Sequence, residues 1–188
     1  MARPGEYPRD LERDVTLNDG TRVHLRPIRP DDEEPLIAFH DRLTGQTAYQ
    51  RFFNIVKHLP RASAHFLSNV DYRHRLALVA EREEGAGRTL VGVARYECTD
   101  RPDTAEIAFV IRDDCQNRGL GTILLEALLA AATERGIVRF RAYVLASNRR
   151  MLDLLTRFTD IREHGTAGGV TELLLTRRSG TTEPTPSP

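Results

Sequence analysis

The sequence predicts an α+β fold in which a mostly antiparallel sheet of six to seven strands is flanked by helices. Two apolar segments, 75–83 and 89–96, are separated by a glycine-containing turn, which is typical of antiparallel neighbours. Further on, an apolar run at 107–111 leads through a glycine loop into a leucine-rich helical pattern at 120–135, and 137–145 reads as the next strand. A strand, a helix and a strand in this order form a crossover, so we expect one parallel pair within the sheet.

The N-terminal part of the chain predicts a hairpin followed by helices. Residues 15–17 and 21–27 flank Asn18-Asp19-Gly20, and Asp-Gly is a hairpin-turn dipeptide because glycine tolerates a positive φ. Asp31 is expected to begin a helix, since Glu34 follows at the spacing of a capping box. The remaining predicted elements are helical segments at 47–53, from Pro60 and from Asn148, and two weaker strands at 160–164 and 170–176.

The 188 residues are expected to form one domain with loose ends. Residues 1–13 are charged and contain spaced prolines, so we expect a flexible arm. Residues 14–177 carry the strand and helix patterns of the folded domain. Residues 178–188 end in SGTTEPTPSP, a composition typical of a disordered tail.

The charge balance and the cysteine and histidine patterns exclude several classes of function. Lys and Arg together number 27, as do Asp and Glu, and this zero net charge argues against a nucleic-acid-binding protein. The two cysteines and six histidines show no metal-binding spacing, so we expect no metal. No apolar run has the length of a transmembrane helix, and the N-terminus lacks a hydrophobic signal segment. We therefore expect a cytoplasmic protein without a membrane partner.

The strongest functional signal is the glycine loop between the 107–111 strand and the following helix. Its residues are Gln116, Asn117, Arg118, Gly119, Leu120, Gly121 and Thr122. Backbone N–H groups at such a helix N-terminus, together with the helix dipole, favour a bound phosphate. A Walker A loop is excluded because no Lys-Ser/Thr pair follows, and a Rossmann fingerprint because Leu124 occupies the position of the third glycine.

The spacing Q-x-x-G-x-G, at Gln116, Gly119 and Gly121, resembles the acetyl-CoA loop of the GNAT superfamily of N-acetyltransferases. The resemblance implies a GNAT-like sheet with a splayed central parallel pair, and acetyl-CoA as the cosubstrate. It also implies cofactor contacts from residues 117–122 to the pyrophosphate, from the backbone of Phe109, Val110 and Ile111 to the pantetheine arm, and from Asn148 and Arg157. Simpler roles stay open, because Arg118 and Arg157 also read as surface arginines and Asn148 as a helix N-cap.

Glu106 stands at the start of the apolar strand, where a carboxylate is costly unless it is paired or hydrated. One interpretation is a strand-end salt bridge, to Arg95 or Arg141. The other is a general base, since an amine acceptor is mostly ammonium at neutral pH and must lose a proton before it attacks a thioester. The GNAT resemblance supports the second interpretation and makes Glu106 the candidate catalytic residue.

A narrower resemblance, over about residues 22–175, extends to the catalytic domain of bacterial Pat-type protein lysine acetyltransferases. The segments that carry it are Gln50-Arg51-Phe52-Phe53, Val70-Asp71, Leu76-Ala77-Leu78-Val79-Ala80, Gly92-Val93-Ala94-Arg95-Tyr96, Ala105-Glu106 and Asn148-Arg149-Arg150-Met151. This resemblance implies a protein lysine as the acceptor, for example on acyl-CoA synthetases. A small amine is the alternative acceptor, and a non-catalytic acyl-CoA-sensing module is the alternative function.

Two features leave the mechanism partly open. Many GNAT enzymes carry a tyrosine general acid seven residues after the asparagine, and here that residue is Leu155. Solvent or another group would then protonate the departing thiolate. Arg51-Phe52-Phe53 would lie near the acceptor side, although a helix-end packing cluster is the simpler interpretation of these residues.

Overall fold

The computed structural model describes residues 5–52, 58–85 and 87–178, so Phe53 and most of the predicted C-terminal tail lie outside the described residues. Its elements are β1 (Arg13–Thr16), β2 (Arg22–Pro27), α1 (Glu33–Asp41), α2 (Gly45–Phe52), α3 (Arg61–Ser68), β3 (Arg75–Glu84), β4 (Gly87–Cys98), β5 (Thr104–Ile111), α4 (Leu120–Glu134), β6 (Arg139–Leu145), α5 (Arg149–Phe158), β7 (Thr159–Ala167) and β8 (Val170–Arg177). Among the described residues, no helix combines the length and apolar character that crossing a membrane requires.

The strands form one sheet in the order β1-β2-β3-β4-β5-β6-β8-β7. Every neighbouring pair is antiparallel except β5 and β6, which are parallel. This confirms the predicted mixed α+β class with a central parallel pair. The described residues contribute eight strands rather than six or seven, because both strands of each predicted hairpin, β1-β2 and β7-β8, join the sheet at its edges.

The parallel pair is short, and its end creates an opening in the sheet. β5 and β6 are paired at only three positions, the last of which is Glu106 with Arg141. Beyond it, β6 remains paired with β8 up to Leu145, while β5 remains paired with β4 up to Ile111. The two central strands therefore splay apart at Glu106, as the GNAT resemblance implies.

The two faces of the sheet are covered by different helices. On one face α4 packs its leucines against the sheet, and Leu124, Leu125 and Leu128 are fully buried there with Ile107. On the other face α1 and α3 cover Val79 and Val93. Because side chains alternate along a strand, Glu106 points away from the α4 face that buries Ile107.

The first helix begins two residues later than the capping-box pattern predicts. Residues 30–32 form a single 3₁₀ turn, and α1 starts at Glu33. The Asp32 carboxylate accepts a hydrogen bond from the Arg29 backbone N–H (2.7 Å) and two from the Arg26 guanidinium (both 2.7 Å). This carboxylate holds the chain in the tight turn, and so Asp32 rather than Asp31 sets the helix start.

Arg26 is a buried cation that two carboxylates neutralise. Its guanidinium is bound by Asp32 at 2.7 Å and by Glu81 at 2.5 Å, and all three side chains are largely buried. Burial disfavours the charged form, but the two carboxylates outweigh it and raise the pKa of Arg26 above its ordinary value. The cluster therefore joins β2, β3 and the turn before α1.

We expect Arg26→Met to lower the free energy of unfolding by about 3 kcal/mol, because it leaves two buried carboxylates without their cation. Urea unfolding followed by circular dichroism measures the change. Arg22→Met, an exposed arginine on the same strand, is the matched control and should change little. Equal losses in the two variants would show that the buried ion cluster contributes nothing beyond surface packing.

Candidate functional site

A cleft of about 590 Å³ opens where β5 and β6 diverge. Its walls come from both central strands, the glycine loop, α2 and α5. The predicted site residues that line it are Glu106, Phe109, Val110, Ile111, Gln116, Asn117, Gly119, Gly121, Thr122 and Asn148. Residues separated by up to 42 positions in the chain are thus brought together around one opening.

The glycine loop has the backbone conformation that exposes its N–H groups. Asn117 and Gly119 both have positive φ, at 61° and 89°, and α4 begins at Leu120. The Gln116 side chain donates to the Ile111 carbonyl oxygen (3.0 Å), and the Asn18 backbone N–H donates to the Arg118 carbonyl oxygen (3.0 Å). The loop is therefore held from both sides, by β5 and by the β1–β2 turn.

Three predicted contact residues do not line the cleft. Leu120 is the first residue of α4, and its side chain is fully buried as part of the core. Arg118 forms an ion pair with Asp19 in the β1–β2 turn, so it anchors the loop. The guanidinium carbon of Arg157 lies 6.0 Å from the centre of the Phe158 ring. A backbone contact from Leu120 remains compatible with its burial, because burial concerns its side chain.

Asn148 combines the two roles that the sequence left open. Its side-chain oxygen accepts a hydrogen bond from the Met151 backbone N–H (3.2 Å), which makes it the N-cap of α5. The same residue lines the cleft. Capping therefore fixes its orientation at the wall opposite β5.

Glu106 is exposed at the floor of the cleft, at the last paired position of β5 and β6. Neither arginine considered as its salt-bridge partner forms an ion pair with the Glu106 carboxylate. Arg141 forms an ion pair with Glu172 at 3.1 Å, and Arg95 donates to the Leu67 carbonyl oxygen at 3.1 Å. Within the described residues, no hydrogen bond or ion pair engages the Glu106 carboxylate, which leaves it accessible from the cleft.

The sequence placed Arg51 of α2 near the acceptor side, and Arg51 does line the cleft, but the polar residues of α2 and Asp113 were missed. Gln46, Thr47 and Gln50 line the cleft from α2. The Asp113 carboxylate, at the start of the glycine loop, accepts hydrogen bonds from the Thr44 backbone N–H (3.0 Å) and from the Thr47 hydroxyl (2.7 Å). These contacts join segments more than 60 residues apart, and no local sequence pattern reports such a pairing.

Tyr143 on β6 is another cleft residue that was not singled out. Its ring lines the cleft and is 37% exposed, and its hydroxyl donates to Glu172 at 3.3 Å. The alternation along β6 offered a signal, because Phe140, Ala142 and Val144 are buried and Tyr143 therefore points to the other face. Leu155, at the position of the usual tyrosine, is buried beside the cleft.

Comparison with known protein families agrees with this geometry. A family model described as the acetyltransferase (GNAT) domain matches residues 22–158. The chain belongs to the GNAT acetyltransferase family. The matched region contains β2 to α5 and therefore every residue that lines the cleft.

Individual relatives agree with the family assignment. This acetyltransferase is 33% identical over 139 residues to acetyltransferase PA5475 of Pseudomonas aeruginosa, which covers 74% of this chain and 75% of that protein. It is 34% identical over 144 residues to acetyltransferase Pat of Mycolicibacterium smegmatis, covering 76% of this chain but only 42% of Pat. The crystal structure of the GNAT domain of S. lividans PAT matches with a TM-score of 0.81 at 33% identity, over 91% of this chain and 99% of that one.

A more distant structure shares the fold only. yncA of Salmonella typhimurium, solved with its cofactor acetyl-CoA, matches with a TM-score of 0.64 at 15% identity over 85% of this chain. The protein described here is an acetyl-CoA-dependent N-acetyltransferase by its family. Within the described residues, no group of three or more His, Cys, Asp or Glu side chains is arranged to hold a metal ion.

The cleft residues fit acetyl-CoA on two observations. Within the described part of the chain, the backbone N–H groups of 119–122 donate to no protein acceptor, as expected of a helix N-terminus that can receive a pyrophosphate. Along the cleft wall, β5 is paired with β4 but has lost β6 after Glu106. Its free edge can pair with the amides of an extended pantetheine arm.

We expect Gly119→Ala to weaken acetyl-CoA binding about tenfold, or 1.4 kcal/mol. Alanine is strained at φ 89°, and its methyl group would lie 3.1 Å from the Asn18 side chain, so the loop must shift. Gly136→Ala is the matched control, because Gly136 has φ 85° with open space around it and lies at the far end of α4. Isothermal titration calorimetry measures both. An equal change in affinity for the two variants would contradict a role for the loop conformation.

We expect Asp113→Asn to lower the free energy of unfolding by about 0.5–1 kcal/mol at pH 7, a modest value because water screens this exposed carboxylate. Burial raises the pKa of Asp113, but hydrogen bonds from Thr44 and Thr47 outweigh it, so the pKa is lowered overall. A carboxyl group whose pKa is lower in the folded than in the unfolded protein stabilises the fold at pH values above its unfolded-state pKa. This stabilisation is lost as the pH falls through its folded-state pKa. The difference in the free energy of unfolding between the unaltered protein and Asp113→Asn should therefore shrink below about pH 4. A difference that is constant with pH, measured by urea unfolding, would exclude this carboxylate as its source.

Proposed function

We propose that this acetyltransferase transfers the acetyl group directly to the side-chain amine of a protein lysine, with Glu106 as the general base. The observation that carries the proposal is the position of Glu106, exposed at the point where the central strands part. A carboxylate there faces both the β5 wall and the open acceptor side of the cleft. The Pat-type resemblance over residues 22–175 supports a protein lysine, for example on an acyl-CoA synthetase.

The lysine must lose a proton before it can react. Its ordinary pKa is about 10.4, so at neutral pH nearly all of it is ammonium. Glu106 accepts this proton, either directly or through a water molecule, and holds the resulting amine at the floor of the cleft. Bound acetyl-CoA supplies the thioester that carries the acetyl group.

The other residues of the cleft bind acetyl-CoA and orient it. The free edge of β5 at Phe109, Val110 and Ile111 holds the pantetheine arm in line with Glu106, and a backbone N–H of this edge polarises the carbonyl group. The N–H groups of the glycine loop bind the pyrophosphate, and Asn148 contacts the arm from the opposite wall. With Leu155 buried and apolar, solvent protonates the departing thiolate, which suits a group whose pKa is about 8.5 by analogy with cysteine. A cytoplasmic location fits such a substrate.

We expect Glu106→Gln to lower turnover by about 10²–10⁴-fold while acetyl-CoA affinity stays the same. Glu97→Gln is the matched control, because Glu97 is the exposed cross-strand partner of Glu106 and does not line the cleft. Release of free CoA thiol measures turnover, and calorimetry measures affinity. Equal turnover in the two variants would remove Glu106 from the role of base.

The acceptor is tested with a cytosolic extract incubated with the enzyme and isotope-labelled acetyl-CoA, followed by mass spectrometry. The proposal requires labelled acetyl-lysine on proteins, with Glu106→Gln giving much less of it. Label that enters only small amines would overturn the protein-lysine assignment and favour the small-amine alternative.

A further inference from the structure

Tyr143 lies on the same face of the sheet as Glu106. The pairing of β5 with β6 ends where Glu106 is opposite Arg141, and Tyr143 follows Arg141 by two residues. Because side chains alternate along a strand, Arg141 and Tyr143 point to one face while Ala142 and Val144 are buried on the other. Both Tyr143 and Glu106 line the cleft. Tyr143 is therefore across the opening from β5, just beyond the proposed base.

The ring of Tyr143 is held at its tip and stays open to the cleft. Its hydroxyl donates to Oε1 of Glu172 on the neighbouring strand β8 at 3.3 Å, and Nε of Arg141 lies 3.1 Å from the same oxygen. Tyr143 nevertheless remains 37% exposed. Because the ring is already held in place, a ligand that packs against it loses little side-chain entropy in doing so.

An exposed aromatic ring in the cleft is apolar surface that a ligand can remove from water. Within the described residues, the large apolar or aromatic side chains that remain exposed are Tyr49, Phe66, Val138, Tyr143 and Ile161. Of these, Tyr143 alone lines the cleft. The guanidinium carbon of Arg75 lies 3.8 Å from the centre of the Phe66 ring, whereas the ring of Tyr143 faces an open volume.

The other side chains near Glu106 leave an apolar substrate few places to pack. The residues of α2 that line the cleft are all polar or charged, and Ala108 is the next β5 side chain on the face of Glu106. A lysine side chain has four methylene groups between the protein backbone and its amine, and such groups pack along apolar surface. Tyr143 is therefore the largest exposed apolar surface available to them.

We infer that Tyr143 determines acceptor specificity, because its ring packs against the methylene groups of the acceptor lysine and guides the amine to Glu106. The ring contacts the apolar part of the substrate and not the reacting atoms, so it contributes to acceptor binding and leaves the proton transfer to Glu106. The Tyr143 hydroxyl, bound to Glu172, only orients the ring. This inference rests on the proposed protein-lysine function and deepens it.

The first test compares three variants on a peptide with one lysine. Tyr143→Ala should lower kcat/KM about tenfold, mainly through KM, as expected when about two methylene groups lose their apolar contact. Tyr143→Phe keeps the ring and should stay within about twofold of the unaltered enzyme. Tyr49→Ala is the matched control, because Tyr49 is 44% exposed on α2 and does not line the cleft, and it should change little.

Circular dichroism establishes that each variant is folded, and calorimetry measures its affinity for acetyl-CoA, which should be unchanged. An unchanged kcat/KM in Tyr143→Ala would overturn the inference. An equal loss in Tyr143→Phe and Tyr143→Ala would assign the effect to the hydroxyl and also overturn it. Weaker acetyl-CoA binding in Tyr143→Ala, of the same size as the loss in kcat/KM, would place the ring against the cofactor instead.

The second test changes the acceptor and keeps its length. One peptide carries lysine, and the other carries an analogue in which an ether oxygen replaces the γ-methylene group. The measured quantity is the ratio of kcat/KM between the unaltered enzyme and Tyr143→Ala, in which the altered basicity of the amine cancels. The ratio should fall from about ten with lysine to about three or less with the ether, because an ether oxygen packs less favourably against the ring. Equal ratios would show a general effect of the substitution and overturn the inference.

A failure of the protein-lysine function has a different result. If no peptide is acetylated while small amines are, the same ratio is measured with butylamine and with 2-methoxyethylamine, which differ by the same replacement of a methylene group by oxygen. A larger ratio for butylamine would support the contact with Tyr143 for a small-molecule acceptor, although the lysine assignment would be wrong. Equal ratios, or no transfer to any amine, would overturn the inference.

Discussion

The parting of β5 from β6 after Glu106 is the constraint on which the rest of the site depends. The parallel strands β5 and β6 are connected through α4 and are paired at only three positions. Beyond these positions β5 stays paired with β4 and β6 stays paired with β8, but β5 and β6 are no longer paired with each other. An unpaired strand edge inside a sheet carries N–H and C=O groups that must find a partner. Under the proposed function the partner is the extended pantetheine arm of acetyl-CoA, and the interruption of the sheet also sets the position of the candidate base.

Under the proposed function, the same interruption lets one strand contact both substrates. Alternation along β5 sends Ile107 into the core beneath α4 and Glu106 to the opposite face, while the strand edge runs along the cleft. Side chain and backbone therefore have separate tasks. The glycine loop continues from this strand, and the Gln116 side chain donates to the Ile111 carbonyl oxygen, so the loop is held in a fixed position relative to Glu106.

Electrostatics divide the cleft into two halves. On the cofactor side, positive character comes from backbone N–H groups at the start of α4, while Arg118 is already paired with Asp19. On the acceptor side Arg51 lines the cleft together with the accessible Glu106 carboxylate. Asp113 connects the halves, because its carboxylate receives hydrogen bonds from Thr44 and Thr47 at the beginning of α2.

The sequence by itself determined the mixed sheet with its parallel pair, the glycine loop and the isolation of Glu106 on an apolar strand, because strand alternation, helix periodicity and turn dipeptides are local signals. Only the tertiary structure decided that Arg118 pairs with Asp19, that Asn148 both caps α5 and lines the cleft, and that Asp113 binds Thr44 and Thr47. The ion pair and the Asp113 hydrogen bonds join residues 66 to 99 positions apart, which depends on packing geometry and is not recorded by any periodicity in the chain.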